Sequence, residues 1–413
     1  MTSRERILAS IAHREPDKVP IDLGASTVTG ISAMAYNKLR KRLGVETPAR
    51  VFDVVQQLAM VDERISDLFR VDAVDLNRLF MRDMDWYPFI LADGSTGEFP
   101  GWFRPEKDAD GSFFVKDPEG RIMSRMAATG NCFDQVLFPW EEGYPDNFES
   151  IGDAFRSINW IAHSHTKYVK IPDDVLRSRT RELRASTERA IVMSGGAKLL
   201  ELGFFLRRMD NMLMDLLADH ENLSRMLDKL TEIHLAGLER KLDAVGDLVD
   251  VIRFGDDLGM TTGPFMDLET FREFFKPRYK ILCDYVKQHS DMKIFFHSCG
   301  SIRQYIPDLI EAGFDILNPV QTNSYGMDPL ELKQEFGREI TFWGGGVDNN
   351  TVLPRATPEE VRRDVLERCE IFSRDGGFVF APIHNILPEV PPENIIAAYR
   401  AVNEFNGDQI QLP

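Results

Sequence analysis

The feature that most constrains this chain is a regular alternation of two kinds of segment. Short apolar runs of β type begin near Val19, Ala73, Ala190, Val249, Lys293, Asp315, Ile340 and Gly377, and nearly all are followed by stretches of helical periodicity. Strands that alternate with helices point to a parallel sheet with helical crossovers, and eight such repeats are what a (β/α)8 barrel requires. The rival architecture is a doubly wound open sheet. No Gly-x-Gly-x-x-Gly follows the first run and no P-loop occurs anywhere in the chain. The expectation is therefore α/β, with a single TIM-barrel domain spanning residues 1–413.

Two segments qualify this plan. Helical periodicity is expected over residues 33–43 and 52–68, over 204–245 with a break near Asp219, and over 267–288 with a bend at Pro277. Residues 80–126 differ in character, because Asp93-Gly, Asp108-Ala-Asp-Gly and Asp117-Pro-Glu-Gly punctuate short aromatic runs. That is hairpin chemistry. It predicts a small β-rich insertion after the second strand, rooted at the barrel mouth as a lid or contact surface. Trp86, Tyr87, Trp102 and Phe103 would form its core or line a site for an aromatic ligand.

Barrel enzymes gather their chemistry at the C-terminal ends of the strands. Here those ends carry Asp22, Asn77, Ser194, Asp256, Asp257, His297, Cys299, Asn318, Gly344 to Gly346 with Asp348, and His384. Singly, Asp22 and Asp257 could equally be helix N-caps, and Asn318 before Pro319 a turn residue. Their coincidence at successive strand ends is what singles them out. Within the set, the run Lys293-Ile-Phe-Phe-His297-Ser-Cys299-Gly places an imidazole and a thiol two residues apart, hence on one face of an extended strand. With His384 they supply three zinc-type donors, and three protein ligands plus an exchangeable position is the catalytic zinc arrangement. Asp256 or Asp257 is then a fourth ligand, a base or a hydrogen-bond partner, with Asp22 a further catalytic candidate. Asn77, Ser194, Asn318 and Asp348 are substrate-binding candidates. Cys283 and Cys369 fall inside helical patterns as core thiols, and Cys132 is unassigned.

Composition narrows the partners. A net charge of −17 opposes non-specific binding to nucleic acid or to an anionic membrane. No apolar run is long enough to span a bilayer, and the charged start Met-Thr-Ser-Arg-Glu-Arg lacks a signal-peptide core. Four cysteines without regular spacing argue for a reducing, cytoplasmic setting. Small-molecule chemistry or a protein partner remains, and a homodimer is compatible with this reading.

His297-Ser-Cys299-Gly, with Gly-Phe-Asp-Ile-Leu-Asn-Pro downstream, resembles the uroporphyrinogen decarboxylase superfamily. So do the opening Ser-Arg-Glu-Arg-Ile-Leu-Ala and His-Arg-Glu-Pro-Asp-Lys-Val-Pro-Ile-Asp, Gly-Gly-Gly-Val-Asp, Thr357-Pro-Glu-Glu-Val and Pro391-Pro-Glu-Asn-Ile. The resemblance covers almost the whole chain, residues 80–126 least, and is stronger to the zinc-dependent, corrinoid-linked methyltransferases than to the decarboxylases. It implies a TIM-type barrel, zinc held by His297 and Cys299, and methyl transfer between a small methoxylated aromatic or methylamine and a corrinoid (cobalamin) carried by a partner protein. In that branch a cysteine supplies the third ligand. This chain offers Ala381-Pro-Ile-His384-Asn instead. The alternative is a metal-independent decarboxylase using Asp22, but the arginine-rich N-terminal segment implied for a polycarboxylated substrate is replaced here by Asp22-Leu-Gly-Ala-Ser-Thr-Val-Thr-Gly.

Overall fold

The computed structural model describes residues 1–81, 83–158 and 171–412. Seven strands form one parallel sheet in chain order: Ala73–Asp75, Ala190–Gly196, Val251–Gly255, Lys293–His297, Ile316–Asn318, Thr341–Trp343 and Phe378–Val379. The expected strand from Val19 is reduced to a bridge, because Pro20 has no N–H to give to a ladder. That bridge closes the ring. Ile21 pairs in parallel with Phe380, Asp22 N donates to Phe380 O and Phe380 N to Pro20 O, both at 2.8 Å. On its other side Asp72 N donates to Ile21 O at 2.7 Å, and Ile21 N donates to Asp72 Oδ2 at 2.9 Å. The fold is a (β/α)8 TIM barrel whose first strand is only a few residues long.

Successive side chains of a strand point to opposite faces, and this alternation sorts the core into two layers. Val74, Ile191, Met193, Ile252, Phe254, Ile294, Phe296, Leu317 and Phe342 are buried against the outer helices. Ala73, Val192, Val251, Phe295, Ile316, Trp343 and Val379 pack as a separate cluster inside the ring. Ile7 and Ile11, from the opening helix Ser3–Ile11, belong to that inner cluster. This helix plugs the N-terminal end of the barrel, where Ser10 Oγ donates to Phe378 O at 2.7 Å. The inward set becomes polar toward the C-terminal end, through Ser194, Arg253, His297 and Asn318.

Several expectations for local structure are corrected. Residues 52–68 are not one helix: Ala49–Asp53 and Leu58–Ala59 are strands, and only Glu63–Leu68 is helical. Tertiary pairing outweighs periodicity there, because Ala49–Asp53 pairs in parallel with Thr96–Pro100. The region 204–245 breaks twice, into Leu200–Arg207, Met209–Ala218 and His220–Val245. Arg208, at φ 69°, makes the extra break. Before Pro277, Phe271–Phe275 winds as a π-helix, as suits a proline that offers no donor to the preceding turn.

Residues 49–135 carry two small sheets. One joins Leu58–Ala59, Ala49–Asp53, Thr96–Pro100 and Trp86–Ile90; the other joins Glu106–Lys107, Phe113–Lys116, Ile122–Met126 and Asp134–Gln135. Strands are therefore drawn from outside 80–126 on both sides. The aromatic residues form the unit's own packing: Phe89 stacks on Phe99 with centroids 4.0 Å apart, and Phe103 lies 5.8 Å from Phe99. Trp86 packs with Phe52, Leu58 and Met81.

Asp72 stitches the shortest strand into the ring, and its Oδ1 also accepts from Arg6 Nη1 at 2.7 Å with both side chains largely buried. Arg6 also pairs with Asp17, its Nε donating to Asp17 Oδ1 at 2.8 Å, so removing Asp72 chiefly leaves the buried Ile21 N without its acceptor, at a cost of about 1–3 kcal/mol. Asp72→Ala is expected to lower the unfolding free energy measured in urea by that order with an unchanged m-value, whereas a change of under about 0.5 kcal/mol would show that the closure lies elsewhere.

Candidate metal centre

The centre is built from the ends of the fifth and eighth strands. His297 is the last residue of Lys293–His297 and points into the barrel with Phe295 two residues before it. Cys299 follows in the loop, whose path is held by Leu258 N donating to Ser298 Oγ (3.0 Å) and Cys299 N donating to Asp257 Oδ1 (2.8 Å). Gly300 comes next at φ +89°, and a Cβ there would lie 2.4 Å from the Gly259 carbonyl carbon. Only glycine lets the hairpin after the fourth strand approach this closely. His384 arrives from the loop after Phe378–Val379, its ring centroid 5.4 Å from that of His297.

The ligating atoms of His297, Cys299 and His384 lie within 4.8 Å of one another, and among the described residues they are the grouping suited to hold a metal ion. Cys299 Sγ is 3.5 Å from His297 Nε2. A tetrahedral zinc with ordinary Zn–S and Zn–N bonds sets its sulfur and nitrogen ligands about 3.6 Å apart. The donor set and the Cys299–His297 spacing fit that ion.

Asn318 fixes which nitrogen of His297 faces the cluster. Its Nδ2 donates to Trp343 O at 2.6 Å, so its Oδ1 must accept, and His297 Nδ1 lies 2.6 Å from it. The proton therefore sits on Nδ1 and the Nε2 lone pair is directed to the cluster. Burial, then the neighbouring His384, holds the His297 imidazole neutral, well below its usual value. Burial likewise lowers His384. Burial and then Asp257 push the Cys299 thiol well above its usual range. Two neutral imidazoles and a sulfur short of a cation make a coherent metal-binding set.

The paired aspartates divide their work. Asp256 is fully buried, with Oδ2 accepting from Leu199 N and Leu200 N and Oδ1 from Glu201 N, each at 2.7 Å; the Tyr279 hydroxyl donates to Oδ2 at 2.6 Å. It caps the helix Leu200–Arg207, which takes it out of the roles of base or fourth ligand. Asp257 faces the cluster instead, with Oδ1 3.6 Å from His297 Nε2. Asp22 lies beneath, accepting from Ala25 N (2.9 Å) and Trp343 Nε1 (2.8 Å); burial raises its carboxyl to about 6. Asp348 accepts from Asn350 N, Thr351 N and Thr351 Oγ1, a turn cap rather than a ligand contact. Asn318 supports His297 rather than facing open space. Ser194 Oγ accepts from Arg253 Nη2 at 3.3 Å within the inner polar layer, whereas Asn77 opens the short helix Asn77–Phe80, its backbone N donating to Asp75 Oδ1 at 2.9 Å.

Sequence reasoning missed Glu201 and Lys198, paired at 2.6 Å, although the charge of Glu201 reaches both Cys299 and His297. They lie a few residues past the third strand end, where extending the strand-end rule along the loop would have found them. That loop is itself held from outside the barrel. Ala197 N donates to His234 Nδ1 (3.3 Å) and His234 Nε2 donates to Lys198 O (2.8 Å), while burial lowers His234 to about 4.

Residues 201–405 match the uroporphyrinogen decarboxylase (URO-D) family. Among curated proteins, the chain is 23% identical over 190 residues to a uroporphyrinogen decarboxylase of Magnetococcus marinus, covering 45% of this chain and 49% of that one. It is 30% identical over 113 residues to that of Methylococcus capsulatus, covering 27% and 30%. The chain thus spans about half the length, or less, of these relatives. A solved methyltransferase from Methanosarcina mazei superposes with a TM-score of 0.60 at 18% identity, over 98% of this chain and 99% of that one. Residues 201–405 are thus similar to the uroporphyrinogen decarboxylase family, and over its full length the chain shares the fold of the solved methyltransferase. Among the described residues no helix is long and apolar enough to cross a membrane.

His234 yields a pH prediction. Its folded value lies below its unfolded one, so the folded state binds fewer protons between about pH 6.5 and 4, and stability falls as pH drops through that window. His234→Gln should flatten this part of the stability–pH curve; an equally steep acid loss in the variant would assign it to other groups.

Proposed function

We propose that this protein is a zinc-dependent methyltransferase that moves a methyl group between a small methylated substrate and a corrinoid carried by a partner protein. The single observation that carries the reading is the His297–Cys299–His384 donor cluster at the barrel mouth, spaced for a tetrahedral ion. The superfamily match and the full-length likeness to a methyltransferase fold support it. Bound zinc supplies Lewis acidity, easing departure of the oxygen or nitrogen from which the methyl group leaves. The chain's own residues do the rest. Asn318 holds His297 in the ligating tautomer, and Cys299 gives up its proton when the ion binds. Asp257, partly exposed beside them, is placed to relay a proton from solvent to the leaving atom. The donor class is a methoxylated aromatic or a methylated amine. The sheets of residues 49–135 are read as a contact surface at the mouth, supported by the turn near Gln56 that reaches the loop of His384.

A second reading is metal-independent decarboxylation through Asp22, favoured by the names of the curated relatives. Against it, both Asp22 oxygens are engaged by Ala25 N and Trp343 Nε1. The segment from Asp22 to Gly30 also carries no arginine for a polycarboxylate.

Purified protein is expected to hold about one zinc per chain. Cys299→Ser and His384→Ala should each weaken zinc binding beyond the roughly 10–100-fold that loss of an outer-shell partner costs, with unchanged far-UV dichroism. Chelator-sensitive formation of methylcobalamin from methoxylated aromatics or methylamines, with cob(I)alamin supplied, would bear out the reading. Metal-independent release of carbon dioxide from uroporphyrinogen would replace it with the second.

A further inference from the structure

The two histidines of the cluster are positioned by different means. His297 is gripped through its ring by Asn318. Among the described residues, nothing hydrogen-bonds the ring of His384, so its place depends on how its backbone is held. Ile383 N donates to Val347 O at 3.0 Å and Ile386 N to Gly30 O at 2.9 Å, and between them the Asn385 side chain ties the same stretch to the outer sheet. Asn385 Oδ1 accepts from Gly30 N at 2.6 Å, and its Nδ2 donates to Thr27 O and to Gln56 Oε1, both at 3.0 Å. Asn385 is 3% exposed, so its amide has no water to fall back on.

Gln56 is not part of the barrel. It lies in the turn between Ala49–Asp53 and Leu58–Ala59, where its Nε2 donates to Asp53 Oδ2 at 3.1 Å and its backbone N to Asp53 Oδ1 at 3.2 Å. The next residue, Gln57, is a non-glycine at φ 51°, and its Oε1 is buried without a hydrogen-bond partner among the described residues. A left-handed glutamine with an unsatisfied buried oxygen is unfavourable on both counts. Such a conformation persists only where its surroundings enforce it. Here the turn brings Gln56 onto Asn385.

We propose that the Gln56–Asn385 hydrogen bond is a latch through which the outer β-sheet positions His384 in the donor cluster, so that seating of that sheet sets metal affinity. Gln56 and Asn385 are positioning residues, acting through the backbone of His384. The latch rests on the metal reading of the centre, and the test separates the two. Gln56→Met keeps the side-chain length and removes its hydrogen bonds. Zinc affinity is measured by chelator competition on the full chain, with the ligand-field spectrum of the cobalt(II)-loaded protein as a second readout. Gln56→Met and Asn385→Ala should each weaken zinc binding about tenfold or more, the lower range for an outer-shell partner. They should also alter the cobalt spectrum, which a general loss of stability would not. The double variant should bind as weakly as Asn385→Ala alone, because the influence of Gln56 on the cluster runs through the Gln56–Asn385 bond that both substitutions remove. Unchanged affinity and spectrum in folded Gln56→Met overturns the latch, as do fully additive losses in the double variant. Should Gln56→Met fail to fold, Gln56→Ala and Asn385→Ser repeat the cycle at the same contact. No zinc uptake by the unaltered protein overturns the metal reading and the latch together, a result distinct from uptake that the latch variants leave untouched.

Discussion

The alternation of side chains along parallel strands decides what this barrel contains. Every second residue must face the interior of the ring, which the opening helix stoppers from below. The lower inward positions are Ala, Val, Ile and Phe, and they fill the space. At the upper level the same parity delivers Ser194, Arg253, His297 and Asn318, which cannot be buried without partners and so must satisfy one another. Asn318 shows the consequence. Caught between Trp343 O and His297 Nδ1, it has one orientation that satisfies both ends, and that orientation leaves His297 Nε2 as the lone-pair nitrogen.

The same parity separates Asp256 from Asp257. Consecutive residues at a strand end diverge, one outward to the helices and one over the mouth. The outward one meets the otherwise unpaired amides at the start of Leu200–Arg207 and satisfies three of them, while burial and then Glu201 raise its carboxyl to about 7. The other is left beside the donors. Two identical side chains thereby acquire a structural and a chemical role from a difference of one residue in register.

What was legible in the sequence follows from this. The strand order, the helices and the pairing of His297 with Cys299 depend on local periodicity, which the sequence states openly. The division of Asp256 from Asp257 depends on where the last strand residue falls, which periodicity leaves uncertain by a residue. Asp348 looked like a site residue because it follows a strand, yet a short side chain next to a turn is drawn to its own backbone. Residues 52–59 read as part of a helix over 52–68 because their apolar positions suit either period, and the pairing of Ala49–Asp53 with Thr96–Pro100, nearly fifty residues on, decides the matter. Gln56 and Asn385 were invisible for the same reason. Their contact joins positions 329 residues apart, and nothing local announces it.

The histidine at position 384 has a consequence for the proposed chemistry. A zinc ion held by two neutral imidazoles and one thiolate retains one positive charge, whereas a second thiolate would neutralise it. Residual charge strengthens Lewis acidity toward a departing oxygen or nitrogen and makes the single thiolate a poorer nucleophile. Asp257 and Glu201 stand close enough to temper that charge without being thiolates, and their field already raises the Cys299 thiol. Under the proposed function, that balance would favour drawing a methyl group off an oxygen or nitrogen donor over delivering one to a zinc-bound thiol. A neutral site with two thiolates would tilt the other way, so in that reading the identity of one side chain on the eighth loop would bear on the direction of transfer.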